Sequence, residues 1–194
     1  MNDSSNNPVL DAIARRYSCR SYTGDPVDAA DIRAVALAGV QAPSSRGNAP
    51  WVIVAVTDQE LITDLSQSAL RLISRHEPSA AAHFDSLGTT LFYNAPVVYL
   101  IAARHTWDYT SEDLDVGLAV QNMTLAATAL GLGSVICGFV TQAFRDVKGA
   151  DAARLYDRAG LAPEFEVRVG MAMGHPASDG QPHTPDLTAV TYID

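Results

Sequence analysis

Two arginines and a serine lie close together near the amino terminus, in the segment RRYSCRSY at 15–22. Arg16 and Arg20 are four residues apart, so a helical continuation would put both on one face, with the Ser18 hydroxyl between them. Guanidinium groups bind phosphate through paired hydrogen bonds, and these three side chains are therefore suited to holding a phosphate group. A solvated helix end, where arginine is favoured by the helix dipole, is the alternative explanation.

A second polar segment, APSSRGNAPW at 42–51, contains more special residues than a connector needs. Its two prolines and Gly47 exclude regular structure across most of it. These residues explain how the chain turns, but they do not explain Ser44, Ser45 or Asn48. The residues alone leave open whether the loop only turns the chain or also holds a ligand.

The segment GLGSVICGF at 131–139 superficially resembles a nucleotide-binding glycine loop. That motif needs a strand before the glycines and a helix after them, whereas here a helix precedes and a strand follows. Gly131 is therefore predicted to end a helix. Gly138 is different, because a missing Cβ at a strand end lets a flat ligand lie close to the backbone.

The cysteines and the loop at 104–113 are candidates for nucleophilic or metal chemistry. The arginines around Cys19 favour a thiolate, but the base that a nucleophile needs cannot be located from sequence. Cys137 lies in an apolar run and is predicted to be simply buried. The 104–113 loop offers a histidine and an aspartate without a third ligand, so no metal site is predicted. Its aromatic residues Trp107 and Tyr109 are instead expected at a pocket mouth.

The chain is acidic, with a formal net charge of −9 and a pI of about 4.8. This charge argues against nucleic acid or an anionic membrane as a partner. Only one of the 13 basic residues is a lysine, so positive charge in a site is expected to come from arginine or protonated histidine. The polar start and the short apolar runs predict a soluble, cytoplasmic protein.

Apolar periodicity predicts interleaved helices and strands in one domain. Asn7, Asp28 and Asp58 are expected to begin the first three helices. Continuous apolar runs predict buried strands at 51–56, 95–103, 134–140 and 165–174. Further helices are expected at 116–130 and about 142–158, with a short tail strand at 189–193. Because two helices precede the first strand, we expect an α+β sandwich with a mixed sheet.

Four segments, in this order, resemble the flavin-dependent nitroreductase family. RRYSCRSY resembles its Arg-x-Ser-x-Arg/Lys signature, and APSSRGNAPW resembles its Ala-Pro-Ser…Gln-Pro-Trp loop. DVGLAVQNMTLAATALGLGS at 115–134 resembles its long central helix, and VRVGMAMGHP at 167–176 resembles its last core strand. The resemblance spans about residues 8–176, and the order and spacing of the segments are specific.

The resemblance implies a nitroreductase-like α/β sandwich, with a mixed β-sheet flanked by helices, in an intertwined homodimer. It implies one FMN-binding domain over 1–194, with its core at about 8–176 and a carboxyl-terminal extension at 177–194 that packs on the partner subunit. Two FMN sites would lie at the dimer interface. NADH or NADPH would give hydride to flavin N5, and a nitroaromatic or quinone would then stack on the same flavin face.

The resemblance also implies which residues of one subunit contact FMN. Arg16 and Ser18 would contact the phosphate end, and Arg20 would lie near the ribityl chain or the N1–C2=O edge. The backbone N–H groups of Cys137 and Gly138 would face N5. This explains Gly138 without requiring any chemistry of the thiol.

The loop at 42–51 would reach the flavin bound mainly by the other subunit, through Pro43, Ser44 and Ser45. Two departures from the family pattern are visible here. The usual glutamine before Pro-Trp is an alanine, and Asn48 stands one place later than the usual asparagine. Asn48 is therefore expected to meet a different flavin atom or none.

Three residues are expected to line the substrate pocket: Arg46, Trp107 and Phe139. Many family members have a small or neutral residue at the position of Arg46. We expect Arg46 near the pocket mouth, where it affects which acceptors or nicotinamides are used more than whether FMN binds.

The tail is unusual because residues 177–194 contain neither arginine nor lysine. Many family members have basic residues there that close on the flavin phosphate. His183 is the only substitute, and histidine is only partly charged at neutral pH. We therefore predict a less tightly held flavin. Two other functions fit the same scaffold: oxygen-dependent fragmentation of reduced FMN, and flavin binding for storage or sensing without catalysis.

Overall fold

Seven helices and four strands make up the described part of the chain, residues 7–108, 111–145 and 150–193 of a computed structural model. The helices are α1 (Pro8–Arg15), α2 (Ala29–Val40), α3 (Gln59–His76), α4 (Pro78–Leu87), α5 (Glu112–Ala129), α6 (Gln142–Arg145) and α7 (Ala150–Arg158). The strands are β1 (Trp51–Val56), β2 (Val97–Ala103), β3 (Gly133–Cys137) and β4 (Glu166–Gly174). Short 3-10 turns occupy Ser45–Gly47, Gly138–Thr141 and Leu187–Ala189.

The four strands form one sheet in the order β1-β2-β4-β3, and each neighbouring pair is antiparallel. Every residue of β2 is buried, which explains why its sequence is a continuous apolar run. In the described residues, the parallel component of the expected mixed sheet is limited to a bridge between Ser18 and Ser134. That bridge joins the RRYSCRSY segment to the start of β3.

Helices cover both faces of the sheet, as expected for an α+β sandwich. Residues Val98 and Leu100 of β2 point into a core formed with α3, α4, α6 and α7. The alternate residues Tyr99 and Ile101 point into a second core formed with α2 and α5. The Tyr99 hydroxyl donates a hydrogen bond of 2.8 Å to the Ile32 carbonyl, which ties β2 to α2.

The predicted helix starts are largely confirmed. The side chains of Asn7 and Asp58 accept hydrogen bonds from backbone N–H groups two and three residues further on. Asp28 precedes α2 but makes no capping hydrogen bond through its side chain. Gly131 has the left-handed φ of 75° that ends α5, as predicted for a helix C-terminus.

The structure differs from the expected elements in several places. α5 begins at Glu112 rather than 116, because Ser111 caps it by accepting a 3.3 Å hydrogen bond from the Leu114 N–H. The strand expected at 134–140 ends at Cys137, where the chain turns and the Thr141 hydroxyl donates to the Gly138 carbonyl. Helices α6 and α7 occupy the segment expected at 142–158, of which residues 146–149 lie outside the described part. The expected tail strand is not formed within the described residues 189–193.

Candidate functional site

A cavity of about 400 Å³ opens at the end of β3 and brings together several of the predicted site residues. Arg20 enters from the amino-terminal segment, while Cys137, Gly138 and Phe139 come from β3 and the turn that follows it. The remaining wall is mostly apolar and consists of Phe84, Leu91, Tyr93, Val135 and Ile136. The cavity that these nine residues line is called the β3 cavity.

Gly138 lines the β3 cavity and has open space where its side chain would be. A Cβ built at this position would meet no atom within 4 Å, so packing does not require glycine here. Gly133, at the other end of β3, is the opposite case, because a Cβ there would lie 2.6 Å from the Cys19 sulfur. The space at Gly138 and the cation of Arg20 fit a flat, anionic ligand such as a flavin.

Arg20 is the cation of the β3 cavity. Its guanidinium lies 5.9 Å from the centre of the Tyr93 ring and donates a 3.4 Å hydrogen bond to the Ser18 carbonyl. Burial raises the pKa of the Cys137 thiol to about 12, and the charge of Arg20 offsets only part of this effect. The Cys137 side chain is therefore a neutral thiol, and its sulfur lies 3.9 Å from the Leu91 carbonyl oxygen.

The RRYSCRSY segment is extended at its bridge to β3 and not helical. α1 ends at Arg15, and Arg16 already has the extended ψ of 131°. Ser18 and Arg20 are exposed, whereas Cys19 between them is buried, the period-two pattern of extended backbone. The helical continuation considered for Arg16 and Arg20 is thus wrong, but Ser18 and Arg20 are both exposed.

Cys19 is a packing residue. It is 2% exposed, and its sulfur donates a 3.2 Å hydrogen bond to the Ser21 carbonyl. The alternative of a reactive thiolate rested on the neighbouring arginines. Burial against Gly133 overrides that local signal, since the sulfur does not face solvent or the β3 cavity.

The 43–50 loop is held to the rest of the chain by its two serines. Asp115 on α5 accepts hydrogen bonds from the Ser45 N–H at 2.9 Å and from the Ser45 hydroxyl at 3.3 Å. The Ser44 hydroxyl accepts a 2.8 Å bond from the Ala49 N–H. The serines therefore shape the loop within its own chain. Pro43 and Asn48 are exposed on it.

Arg46 and Trp107, two of the expected substrate-pocket residues, lie against each other. The Arg46 guanidinium carbon is 3.6 Å from the centre of the Trp107 ring, a cation–π contact. Phe139, the third expected residue, lies in the β3 cavity instead. The site residues thus form two groups in one chain. Tyr109 lies outside the described residues.

Asp115 was missed by sequence reasoning, although a signal for it exists. It stands beside the buried apolar residues Val116, Ala119 and Val120 of α5 and is itself 2% exposed. A carboxylate on a buried helix face needs hydrogen-bond donors, which the loop supplies. Apolar periodicity alone does not identify the donor.

The start of the tail, at residues 178–180, contacts Tyr17 of the amino-terminal segment, and the residues that follow are exposed. Gly180 lies against the Tyr17 ring, where a Cβ would be 1.9 Å from a ring carbon, and the Tyr17 hydroxyl donates to the Ser178 carbonyl at 3.3 Å. His183 follows three residues later and is exposed. Among the described residues, no cluster of three metal-ligating side chains occurs, and no helix has the length and apolar character needed to cross a membrane.

Comparisons with known proteins identify a family and several relatives. The model of the nitroreductase family matches residues 13–175. A NADPH-flavin oxidoreductase of Vibrio harveyi is 29% identical over 170 residues, which cover 88% of this chain but 66% of that protein. A NADH dehydrogenase of Thermus thermophilus is 26% identical, with 90% of this chain and 91% of that protein covered.

A solved structure extends this likeness to three dimensions. The crystal structure of a nitroreductase with bound FMN from Desulfitobacterium hafniense superposes with a TM-score of 0.88. The two chains are 30% identical, and the match covers 97% of this chain and 99% of the other. The fold expected from the sequence is therefore confirmed.

Proposed function

The chain belongs to the nitroreductase family, and we propose that it is an FMN-dependent oxidoreductase that transfers hydride from NADH or NADPH to a nitroaromatic, a quinone or a similar electron acceptor. The observation that carries the proposal is the open space at Gly138, beside the cation of Arg20 and at the end of β3. The NADPH-flavin oxidoreductase from Vibrio harveyi and the FMN-bound nitroreductase support the same cofactor and reductant.

The chain offers residues for the phosphate, the ribityl chain and the ring of FMN. Arg16 and Ser18 would hold the phosphate, and Arg20 would lie along the ribityl chain or the ring edge. The backbone N–H groups of Cys137 and Gly138 would face the ring at N5. When bound, FMN would accept hydride from the nicotinamide and pass it to the acceptor. Arg20 would stabilise negative charge on the reduced ring.

A homodimer would complete each site. Large apolar side chains on three neighbouring helices are 38–61% exposed: Val9, Leu10 and Ile13 on α1, Leu37 and Val40 on α2, and Leu114 and Leu118 on α5. Such an apolar surface is typical of an interface between subunits. We propose that a second copy covers it and brings its 43–50 loop, with Pro43, Ser44, Ser45 and Asn48, to the β3 cavity. The nicotinamide reductants are abundant in cytoplasm, which is the proposed location.

The tail at 177–194 is proposed to pack on the partner subunit. Its apolar residues Leu187, Tyr192 and Ile193 are 80–94% exposed in the single chain, which supports that placement. The tie between Gly180 and Tyr17 brings the chain to the phosphate-binding segment just before His183. A missing charge-assisted hydrogen bond weakens binding by about ten- to a hundredfold, so we expect FMN to be held loosely.

The central test is an FMN titration of the purified protein, followed by NADH and NADPH oxidation with quinone and nitro acceptors. We expect FMN to bind, to raise the melting temperature and to support turnover. If FMN neither binds nor raises the melting temperature, the proposal is wrong. Bound FMN without turnover across the acceptors would indicate storage or sensing, and a benzimidazole product in air would indicate flavin fragmentation.

A further inference from the structure

The 43–50 loop has a buried anchor on α5. Asp115 is 2% exposed, yet its carboxylate makes its hydrogen bonds to a loop 70 residues earlier in the chain, at Ser45. Burial of a carboxylate is costly unless donors satisfy it, so the pair is specific. Asp115 also lies near the amino-terminal end of α5, where the helix dipole favours negative charge.

A second anchor lies three residues earlier on the same helix. Glu112 is 8% exposed and accepts a 3.0 Å hydrogen bond from the Thr106 N–H. Its carboxylate is also 3.2 Å from Nδ1 of His105. Glu112 therefore holds the 104–108 segment, just as Asp115 holds the 43–50 loop.

The two anchored segments meet at Arg46 and Trp107. Arg46 has a φ of 56°, a left-handed conformation that is unfavourable for arginine and that the surrounding contacts must maintain. Stacking on the Trp107 ring fixes the plane of the guanidinium, and its edge carries five N–H donors. Among the described residues, no hydrogen bond or ion pair uses these donors. The Arg46 guanidinium thus has a fixed orientation, and its N–H groups are available to a ligand.

A small cavity lies between the first turns of α5 and β3. Asp113, Val116 and Gly117 line a cavity of about 220 Å³ together with Ile136 of β3. Ile136 also lines the β3 cavity. The first turns of α5 therefore connect the anchored loops to the strand that ends at Gly138.

We propose that Arg46, stacked on Trp107 and positioned by Asp115 and Glu112, selects acceptors that carry a carboxylate or sulfonate. The inference rests on the proposed function and names its substrate class. A protein with a net charge of −9 repels anions in general, so an anionic acceptor needs a local cation. Arg46 meets such a group through its guanidinium edge, and Asp115 and Glu112 act as positioning residues.

The first experiment compares two acceptors with the holoenzyme, 4-nitrobenzoate and its neutral methyl ester. Reduction of either nitro group to nitroso consumes NAD(P)H and a proton, transfers two electrons and releases water. The measured quantity is the ratio of kcat/KM for the anion to kcat/KM for the ester. We expect Arg46→Ala to lower this ratio about tenfold, since a charge-assisted contact is lost. Arg46→Lys should lower it less.

Arg75→Ala is the matched control, because Arg75 is an exposed arginine on α3 and its loss changes the net charge equally. The ratio should stay at the wild-type value in this variant. An equal fall in Arg75→Ala and Arg46→Ala would show a general charge effect and overturn the proposal. An unchanged ratio in Arg46→Ala would also overturn it.

The second experiment tests the positioning role of Asp115. Trp51→Phe leaves Trp107 as the only tryptophan, and acrylamide quenching then reports its exposure without turnover. Asp115→Ala should raise the quenching constant and lower the anion-to-ester ratio, while Asp115→Asn should restore both because its amide oxygen still accepts from Ser45. If Asp115→Ala does not fold, Ser45→Ala removes one of the two hydrogen bonds and should cause a smaller change in the same direction.

The outcomes separate this inference from the proposed function. If the holoenzyme reduces neither nitrobenzoate, its ester nor a quinone, the proposed function fails and the inference fails with it. If the ester is reduced but the ratio is indifferent to Arg46 and Asp115, the inference alone is wrong. A lowered ratio with unchanged Trp107 quenching in Asp115→Ala would overturn the positioning role.

Discussion

The β3 cavity and the 43–50 loop are built in different ways. The cavity wall at Cys137 is main chain held by the pairing of β3 with β4, and it ends in an open glycine. The loop has left-handed residues at Arg46 and Ala49 and depends on side-chain hydrogen bonds from its serines. A side chain added to the wall should therefore act on the ligand directly, whereas the loss of a serine from the loop should act through the shape of the loop.

The largest expected effect concerns the thiol on the core side of the cavity wall. With a pKa of about 12, the Cys137 thiol is ionised in only about one molecule in ten thousand at pH 8. We expect native Cys19→Ala protein to react with iodoacetamide at least about a thousandfold more slowly than the unfolded chain, where the thiol has an ordinary pKa. Rapid native labelling would mean that the sulfur faces the ligand side and that the wall is misassigned.

Gly138→Val tests the open side of the same wall. Valine fills the space in which the flavin is proposed to lie, so we expect FMN affinity to fall at least about a hundredfold in a fluorescence titration. The apoprotein should keep its free energy of unfolding within about 0.5 kcal/mol, because no neighbouring atom is within 4 Å of the new Cβ. Unchanged FMN affinity would remove Gly138 from the site.

Gly170→Ala is the control on β4, directly opposite Cys137. A Cβ at Gly170 would lie 2.9 Å from a methyl carbon of Val140, so this substitution should destabilise the protein by about 1–3 kcal/mol. Denaturant unfolding and FMN titration together separate the two variants. Gly138→Val should lose FMN affinity and keep its stability, whereas Gly170→Ala should lose stability.

Local signals in the sequence predicted the elements but not how they pair. Asn7 and Asp58 cap their helices through neighbouring N–H groups, and the apolar run of β2 records its burial, so both features are visible in a short window. The run of β1 predicts a buried strand as well, but β1 lies at the edge of the sheet and is buried only at Trp51 and Val56. The antiparallel order and the bridge of Ser18 to Ser134 join distant segments. Neither the strand order nor the bridge leaves a pattern within a short stretch of sequence.

The candidate site shows the same difference between local signals and contacts that join distant segments. The meeting of Arg20 with Gly138 followed from the family resemblance, because residues so far apart share no local signal. The role of Asp115 was missed for a physical reason: its partners are a backbone N–H and a serine hydroxyl of a remote loop. The sequence likewise suggested a reactive Cys19 from neighbouring charges, while burial against Gly133 decides its behaviour.

Arg20→Gln is expected to have a moderate effect. It removes the cation of the β3 cavity but leaves the wall intact, so FMN affinity should fall about tenfold. Arg20→Lys should recover part of the loss, because a lysine keeps the charge without the planar fork. Arg46→Ala, measured in parallel by FMN titration, should change affinity less than Arg20→Gln. The reverse order would mean that the loop, and not the cavity, holds the cofactor.

Ser44→Ala should give the smallest effect and so tests the difference between the two regions. It deletes the acceptor of the Ala49 N–H, an exposed hydrogen bond worth about 1 kcal/mol. Hydrogen exchange should accelerate in the 43–50 loop while FMN affinity changes less than about fivefold. Ser44→Thr keeps a hydroxyl and should restore protection. If Ser44→Ala lowered FMN affinity as strongly as Gly138→Val is expected to, the loop would act on FMN in the same way as the cavity wall. The proposed difference between a wall built from backbone and a loop held by side chains would then be wrong.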